Sequence, residues 1–309
     1  MDGDRNSYRK KRFGQVLTIV WLAIALGTAL PSQAQPYSQL ISQSAPDPQT
    51  AEGQISVGLQ FIQQGRMQEA IAAFRNATEL NPNLAAAHYN LGLALRQTGQ
   101  LQPAANSFYR AIQADPQFAV AYANLGAALL EGNNFDLSGQ YLQRAVALDP
   151  ELGLAHYNLG LVYKQQQNFD AAIASFQRAR QLSPNAPEPS YHLGQIYLQQ
   201  NNVGQARAAF QQAVELNPNY PEAHYSLGTV LFSQGNLNDA LDAFRSSAEA
   251  NPNYPNAYYG AGLVFIQQRQ YEDAQQVLRY ARDLFSAQGN TQWATQTDQL
   301  LRQVQQQGG

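Results

Sequence analysis

The chain lacks cysteine altogether and carries little charge. Of its 309 residues only 13% are charged, and beyond residue 12 the single lysine is Lys164. The absence of cysteine excludes disulfides, thiolate nucleophiles and cysteine-ligated zinc. Because lysine is so scarce, glutamine and asparagine must form most of the polar surface.

The sequence signatures of common enzyme classes are missing as well. There is no nucleophile elbow, no HExxH zinc motif, no phosphate-binding loop and no dinucleotide fingerprint. Three of the four histidines, His88, His156 and His224, recur 68 residues apart. In stacked helical layers about 10 Å thick that spacing is roughly 20 Å, too far for them to share one metal ion. We therefore predict a protein that is not an enzyme and has no catalytic residue, metal site or cofactor.

The N-terminal residues have the layout of a secretory signal peptide. A basic segment at residues 5–12 precedes the uncharged apolar run Val16–Leu30, and small residues follow as far as Ala34. This order predicts a signal peptide over residues 1–34 that is cleaved after Ala34. The apolar run is shorter than the roughly 20 residues that span a membrane. The alternative is an uncleaved membrane anchor, with a tether through residues 13–30.

Removal of this segment would leave a chain with 20 acidic and 14 basic side chains, a net charge near −6. Such a chain would not attract phosphate backbones, so we predict no nucleic-acid partner. The next segment, residues 35–50, holds three prolines among serine and glutamine. This composition predicts a flexible linker.

A fixed period of 34 residues dominates the rest of the chain. It predicts an all-α stack of helical repeats, which grows by adding units rather than by enlarging one core. Proline keeps the same step from Pro82 to Pro252. The recurrent glycines are Gly58, Gly92, Gly126, Gly160, Gly194, Gly228 and Gly262. The seven predicted repeats are residues 51–84, 85–118, 119–152, 153–186, 187–220, 221–254 and 255–288.

Each repeat reads as two helices joined by a tight turn. Numbering every repeat from place 1 puts the glycine at place 8 and the proline at place 32. Places 4, 7, 8 and 11 line one helical face, and places 17, 20, 24, 27 and 28 line another. Small residues at places 8, 20 and 27 would let the two helices approach closely, while large residues at places 11 and 24 fill the gaps. Proline at place 32 would end the second helix.

The ends of the array differ from its middle. The last repeat has Ser286 where the others have proline, and a further helical pattern follows over residues 291–306. A stack of repeats needs a polar cap at each end. We predict that residues 289–309 are a capping helix and tail, with a stripe of Trp293, Thr297, Leu300 and Val304, and that Trp293 covers the open end.

The repeats resemble the tetratricopeptide repeat (TPR). The resemblance covers about 240 residues, and many places agree in register over several repeats. One stretch that carries it is His88-Tyr89-Asn90-Leu91-Gly92 with Leu95, Gly99, Leu101, Ala104, Phe108, Ala111 and Pro116. The resemblance implies a right-handed superhelical solenoid of about seven helix-turn-helix repeats, with a concave groove lined by the first helix of each repeat.

In this family the groove usually binds an extended peptide or a partner helix. The groove positions would be places 2, 5, 6, 9, 12 and 13. Two interpretations follow for a protein partner: an asparagine ladder at place 6 that bonds to a peptide main chain, or a trough of tyrosines and Phe232 for a helix. The candidate binding residues are Tyr89, Asn90, Asn124, Tyr157, Asn158, Tyr191, Tyr225 and Tyr259.

We therefore expect a non-catalytic scaffold for an unidentified protein partner. The alternative function is a module that binds carbohydrate or an envelope polymer, since aromatic and amide-rich grooves also suit sugars. The composition resembles that of exported bacterial repeat proteins, those of cyanobacteria among them. The expected location is the periplasm or thylakoid lumen, or the membrane if the N-terminal helix stays uncleaved.

N-terminal sequencing of the native protein tests the export prediction. If the leader is removed as predicted, the mature chain begins at Gln35, because the small residues Ser32 and Ala34 place the cleavage site there. A first residue upstream of position 30 would instead establish the membrane anchor.

Overall fold

The computed structural model describes residues 47–308, which form α-helices and no β-strand. The helices follow one another as hairpins with short turns, so the expected all-α solenoid of helix-turn-helix repeats is confirmed. Each repeat contributes one odd-numbered first helix and one even-numbered second helix. The helices are α1 Ala51–Gln63, α2 Met67–Leu80, α3 Ala85–Gln97, α4 Leu101–Ala114, α5 Ala119–Glu131, α6 Phe135–Leu148, α7 Gly153–Gln165, α8 Phe169–Leu182, α9 Glu188–Gln199, α10 Val203–Leu216, α11 Pro221–Ser233, α12 Leu237–Ala250, α13 Pro255–Gln267, α14 Tyr271–Ala287 and α15 Thr291–Gly308.

These helices fall into two compact units. The N-terminal unit ends at Gln166 and the C-terminal unit begins at Gln167. Helices α1–α7 therefore belong to the first and α8–α15 to the second. The boundary lies in the turn between α7 and α8, inside the fourth repeat.

The turn within each repeat needs one residue in the left-handed backbone region. That residue is always at place 15, where φ lies between 57° and 78°. Glycine and asparagine occupy the place in five repeats, as the sequence indicates. Gln167 and Arg269 adopt the same conformation, although glutamine and arginine do not favour it. The seven residues are Gly65, Gly99, Asn133, Gln167, Asn201, Gly235 and Arg269.

Within each unit, the two helices of a hairpin meet where the side chain at place 24 covers the glycine at place 8. A Cβ atom on Gly92 would lie 2.7 Å from the ring of Phe108, and one on Gly228 would lie 2.8 Å from the ring of Phe244. Real Cβ atoms do not approach other atoms so closely. The place-24 side chains are fully or almost fully buried: Phe74, Phe108, Leu142, Phe176, Phe210, Phe244 and Leu278.

Small residues complete this contact from the second helix. Places 20 and 27 hold alanine or serine, and every one of these side chains is buried. The serines keep hydrogen bonds inside the core: Ser138 Oγ donates to the Gly126 carbonyl at 2.7 Å, and Ser247 Oγ to the Pro221 carbonyl at 2.7 Å. The expected role of places 8, 20, 24 and 27 therefore agrees with the observed packing.

In three repeats a histidine at place 4 fastens the first helix to the loop before it. The Nε2 atoms of His88, His156 and His224 lie 2.8–3.0 Å from the carbonyl oxygen of the proline six residues earlier. The hydroxyl of Tyr258 donates to Pro252 in the same way. At this place Ser190 is too short to reach, and its buried Oγ has no hydrogen-bond partner among the described residues. The histidines are thus half-buried packing residues.

At the C-terminal end, helix α14 continues to Ala287, beyond place 30 where the other second helices end, because no proline stops it there. In α15 the buried seam is Ala294, Thr297, Leu301 and Val304, whereas Trp293 remains 39% exposed. The predicted stripe therefore holds for Thr297 and Val304, and Leu300 packs half-buried against the same core. The Trp293 ring stacks on Phe285 but stays partly exposed.

Within residues 47–308 no helix is both long enough and apolar enough to cross a membrane. The predicted signal peptide or anchor, and most of the predicted linker, lie outside the described residues.

A matched pair of substitutions tests whether the glycine–ring contact holds the hairpin together. Gly92→Ala should destabilise the protein by about 1–3 kcal/mol, because the new methyl group would overlap the Phe108 ring. Gly139→Ala should stabilise it by up to about 1 kcal/mol, because its Cβ would lie an ordinary 3.6 Å from Val162 and alanine favours the helix.

The measurement is the urea midpoint followed by far-UV circular dichroism. Equal effects of the two substitutions would show that helix propensity, and not the close approach at place 8, determines the outcome.

Candidate protein-binding surface

The surface expected to bind a partner consists of places 2, 5, 6, 9, 12 and 13 of the first helices, here called the first-helix face. These places are three or four residues apart, so they share one side of each helix. Its side chains differ between the two units, and each unit is therefore described separately.

Three of the five tyrosines at place 5 pack within their own repeats. The rings of Tyr89, Tyr191 and Tyr225 each lie between the phenylalanine at place 24 and an aromatic residue at place 34. Tyr191, for example, is 8% exposed, with its ring centroid 5.9 Å from that of Phe210 and 5.0 Å from that of Tyr220. Tyr89 and Tyr225 are held in the same way. These tyrosines offer a partner only part of each ring.

Tyr89 also begins a polar network that crosses the N-terminal unit. Burial raises the pKa of its hydroxyl to about 12, against smaller opposing effects of Arg96 and Asn124. The hydroxyl oxygen accepts a hydrogen bond from Asn124 Nδ2 at 3.4 Å. The same amide nitrogen donates to the Val120 carbonyl at 2.9 Å, so Asn124 links α3 to α5.

The network continues through a buried ion pair. Asn124 Oδ1 accepts from Arg96 Nη1 at 3.2 Å, and Arg96 donates to Glu131 Oε1 from Nε at 2.8 Å and from Nη2 at 2.5 Å. The Arg96 and Glu131 side chains are 10% and 14% exposed. Sequence reasoning missed this pair, although opposite charges 35 residues apart, at place 12 and at place 13 of the next repeat, could have indicated it.

Asn158 occupies the same place one repeat later, yet it has no such network. Its Nδ2 is buried without a hydrogen-bond partner among the described residues. The reason is in the preceding repeat: the positions that correspond to Tyr89 and Arg96 are Ala123 and Leu130. Neither side chain can accept or donate a hydrogen bond. An asparagine at place 6 therefore has hydrogen-bond partners for its amide nitrogen in one repeat and none in the next.

The predicted asparagine ladder is largely covered in this structure. Asn124 and Asn158 are 3% and 2% exposed. Asn90 is half-buried, and its Nδ2 donates to the Ala86 carbonyl at 2.8 Å. Tyr157 is likewise half-buried. In the N-terminal unit Tyr89 and Asn124 thus join neighbouring repeats, whereas the Asn90 amide bonds within its own helix.

The C-terminal unit presents a less polar face. One aliphatic or aromatic side chain per repeat stands half-buried at place 12, namely Leu198, Phe232 and Ile266. Near them the Tyr191 hydroxyl accepts from Gln195 Nε2 at 2.8 Å, and Gln195 Oε1 lies 3.1 Å from His192 Nδ1. Tyr259 meets the edge of the Trp293 ring at 5.4 Å, so the capping helix takes up part of its surface. The apolar column is the partly accessible apolar portion of this face, and it borders the exposed place-13 side chains Gln199, Ser233 and Gln267.

A pair of asparagine substitutions distinguishes the bonded amide from the unsatisfied one. Asn124→Ala should destabilise the protein by about 1–3 kcal/mol, because it strips partners from the buried Tyr89 hydroxyl and Arg96. Asn158→Ala removes a similar volume but no hydrogen bond, so it should cost less or even stabilise. Urea denaturation of both variants measures the difference; equal losses would contradict the proposed role of the network.

Comparison with known proteins agrees with this architecture. Tetratricopeptide repeat models match residues 85–118, 119–152, 191–255 and 231–284, and a TPR repeat model matches residues 58–99 and 160–201. Together the matches cover more than half of the chain. The curated protein sequences contain no significant match.

Solved TPR structures have the same fold. YrrB, described as a TPR protein with an unusual peptide-binding site, is 27% identical, with a TM-score of 0.52 over 63% of this chain and 99% of its own. PilF of Pseudomonas aeruginosa is 20% identical, with a TM-score of 0.60 over 67% and 94%. A TPR protein of Parabacteroides merdae is 19% identical, with a TM-score of 0.60 over 80% and 98%. On the family matches, the chain belongs to the tetratricopeptide repeat family.

Proposed function

We propose that the protein is a non-catalytic scaffold that binds a segment of a partner protein on its first-helix face. Tetratricopeptide repeat proteins generally act as interaction scaffolds. YrrB, whose sequence is 27% identical, is described as having a peptide-binding site. Several side chains of the first-helix face remain half-buried or exposed and are therefore available to a partner.

The observation that carries the proposal is the apolar column at place 12 of the C-terminal unit. Leu198, Phe232 and Ile266 repeat once per hairpin and are only half-buried. When a partner covers a row of half-buried apolar side chains, they lose their remaining contact with water. The free energy gained is roughly 25 cal/mol per Å² of apolar surface buried. A regular column also matches the regular spacing of side chains on a helix or an extended segment.

A catalytic role is not part of the proposal. Besides amides, phenols and aliphatic side chains, this face carries the carboxylates of Glu188 and Glu222 and the imidazole of His192, which lies against Gln195. The Arg96–Glu131 pair is already engaged. The described residues hold no cluster of three or more potential metal ligands. Nothing on this face pairs a nucleophile with a base, as an acyl- or phosphoryl-transfer site requires.

We further propose that the scaffold is exported. This rests on the sequence of residues 1–34 and on the lack of cysteine, which suits an oxidising compartment. N-terminal sequencing, as described above, tests it.

In-cell photo-crosslinking tests the binding function. A benzophenone amino acid at Phe232 should yield a defined adduct with a partner protein, because this side chain stands in the apolar column. The matched control places the same probe at Gln211, an exposed position on the second helix α10. Mass spectrometry identifies the adducts.

An adduct at Phe232 and none at Gln211 is the expected result. Equal labelling at both positions, or no adduct at Phe232, would contradict binding at this face.

A further inference from the structure

The charges on the C-terminal first-helix face are of one sign only. Helices α9, α11 and α13 contain neither lysine nor arginine. Their only formally charged side chains are Glu188 and Glu222, which share place 2 of successive repeats. The N-terminal unit differs, since its first helices also carry Arg96 and Lys164. The acidic character is therefore specific to one unit.

Glu188 is a buried carboxylate without an ionic partner among the described residues. The residue is 7% exposed. Burial raises the pKa of its carboxyl group, and the only donor that opposes this shift is its own backbone N–H. Burying an ionised group is unfavourable unless an opposite charge or several hydrogen bonds accompany it. A cation supplied from outside would stabilise it.

The acids run parallel to the apolar column. Places 2 and 12 are ten residues apart, or about 15 Å along a helix at 1.5 Å per residue. Neighbouring first helices would lie about 10 Å apart, close to the rise of seven residues in a helix. A helix with its diameter of about 10–12 Å could lie across α9, α11 and α13. Long basic side chains would then reach the place-2 edge while apolar ones meet place 12.

We propose that the C-terminal unit binds a cationic amphipathic helix, whose apolar stripe covers Leu198, Phe232 and Ile266 and whose lysine or arginine side chains pair with Glu188 and Glu222. This names the partner chemistry of the proposed function and rests on it. Lysine or arginine bonded to a carboxylate forms a charge-assisted hydrogen bond, which is stronger than one between neutral groups. The apolar column supplies contact area, and the two acids favour a partner with positive charge.

A competing role for the acids is local. Both lie in the first turn of a helix, where a carboxylate interacts favourably with the helix dipole. If this were their only role, replacing the two glutamates by glutamine would lower the stability of the protein and leave the binding of a basic helix unchanged. The two roles therefore have different readouts.

The probe is a synthetic amphipathic helical peptide of about 18 residues with a leucine stripe and lysine at every seventh position along one edge. A second peptide has glutamine in place of each lysine. Fluorescence anisotropy with the full chain should give a Kd about tenfold lower for the lysine peptide, because only it offers charge-assisted bonds.

The Glu188→Gln/Glu222→Gln variant should bind both peptides equally. The matched control Glu249→Gln/Glu272→Gln removes two exposed acids from the second helices and should keep the tenfold preference. Single Glu222→Gln, at a half-buried position, should reduce the preference even if the double variant folds poorly, and circular dichroism monitors folding.

A preference that survives in the Glu188→Gln/Glu222→Gln variant, or that is lost equally in the control, would overturn the inference. So would the failure of both peptides to bind. The Phe232 crosslink distinguishes the scaffold function from the more specific inference of a cationic helix. If the crosslink forms while neither peptide binds, the scaffold function stands and the cationic helix is wrong.

Discussion

The close approach of two helices over a glycine is the contact on which the hairpins within each unit depend. With no Cβ at place 8, the side chain at place 24 can lie directly against the backbone of the first helix. The contact fixes the two helices at short range and buries the place-24 side chain fully or nearly so. Close packing of this kind transmits any change of volume to its neighbours. The small residues at places 20 and 27 belong to the same constraint.

This arrangement leaves the opposite side of the first helix free to vary. Since the core of a hairpin needs only a few places, the remaining places of the first helix can change without loss of the fold. The two units use this freedom differently. In the N-terminal unit the face is closed by a buried network from Tyr89 to Glu131. In the C-terminal unit it keeps an apolar column.

The sequence predicted the fold almost completely because the constraint repeats in register. Seven glycines at one place, with alanine, phenylalanine and proline at others, leave little choice of architecture. The candidate site was harder to predict. Place 6 alone does not decide whether an asparagine is bonded, because its partners stand at places 5 and 12 of the preceding repeat. Tyr89 and Arg96 serve Asn124, whereas Ala123 and Leu130 leave Asn158 unsatisfied.

The left-handed turns at Gln167 and Arg269 escaped sequence reasoning for a related reason. At these positions the hairpin geometry overrides the local preference of the residue, as tertiary packing often does. Local signals therefore sufficed where the residue type itself follows the repeat pattern. They failed where packing within the hairpin, or a partner in another repeat, decides the conformation or bonding of a residue.

Buried charge shows the same dependence on neighbours and connects it to function. Removing a carboxylate from water is costly, and the cost falls when a cation accompanies it. Glu131 has Arg96 beside it, so the N-terminal unit satisfies its own charge. No base on α9, α11 or α13 can do this for Glu188. The N-terminal face thus contains the base that neutralises its buried acid, whereas the C-terminal face does not. The missing positive charge indicates that a partner of the C-terminal face is basic.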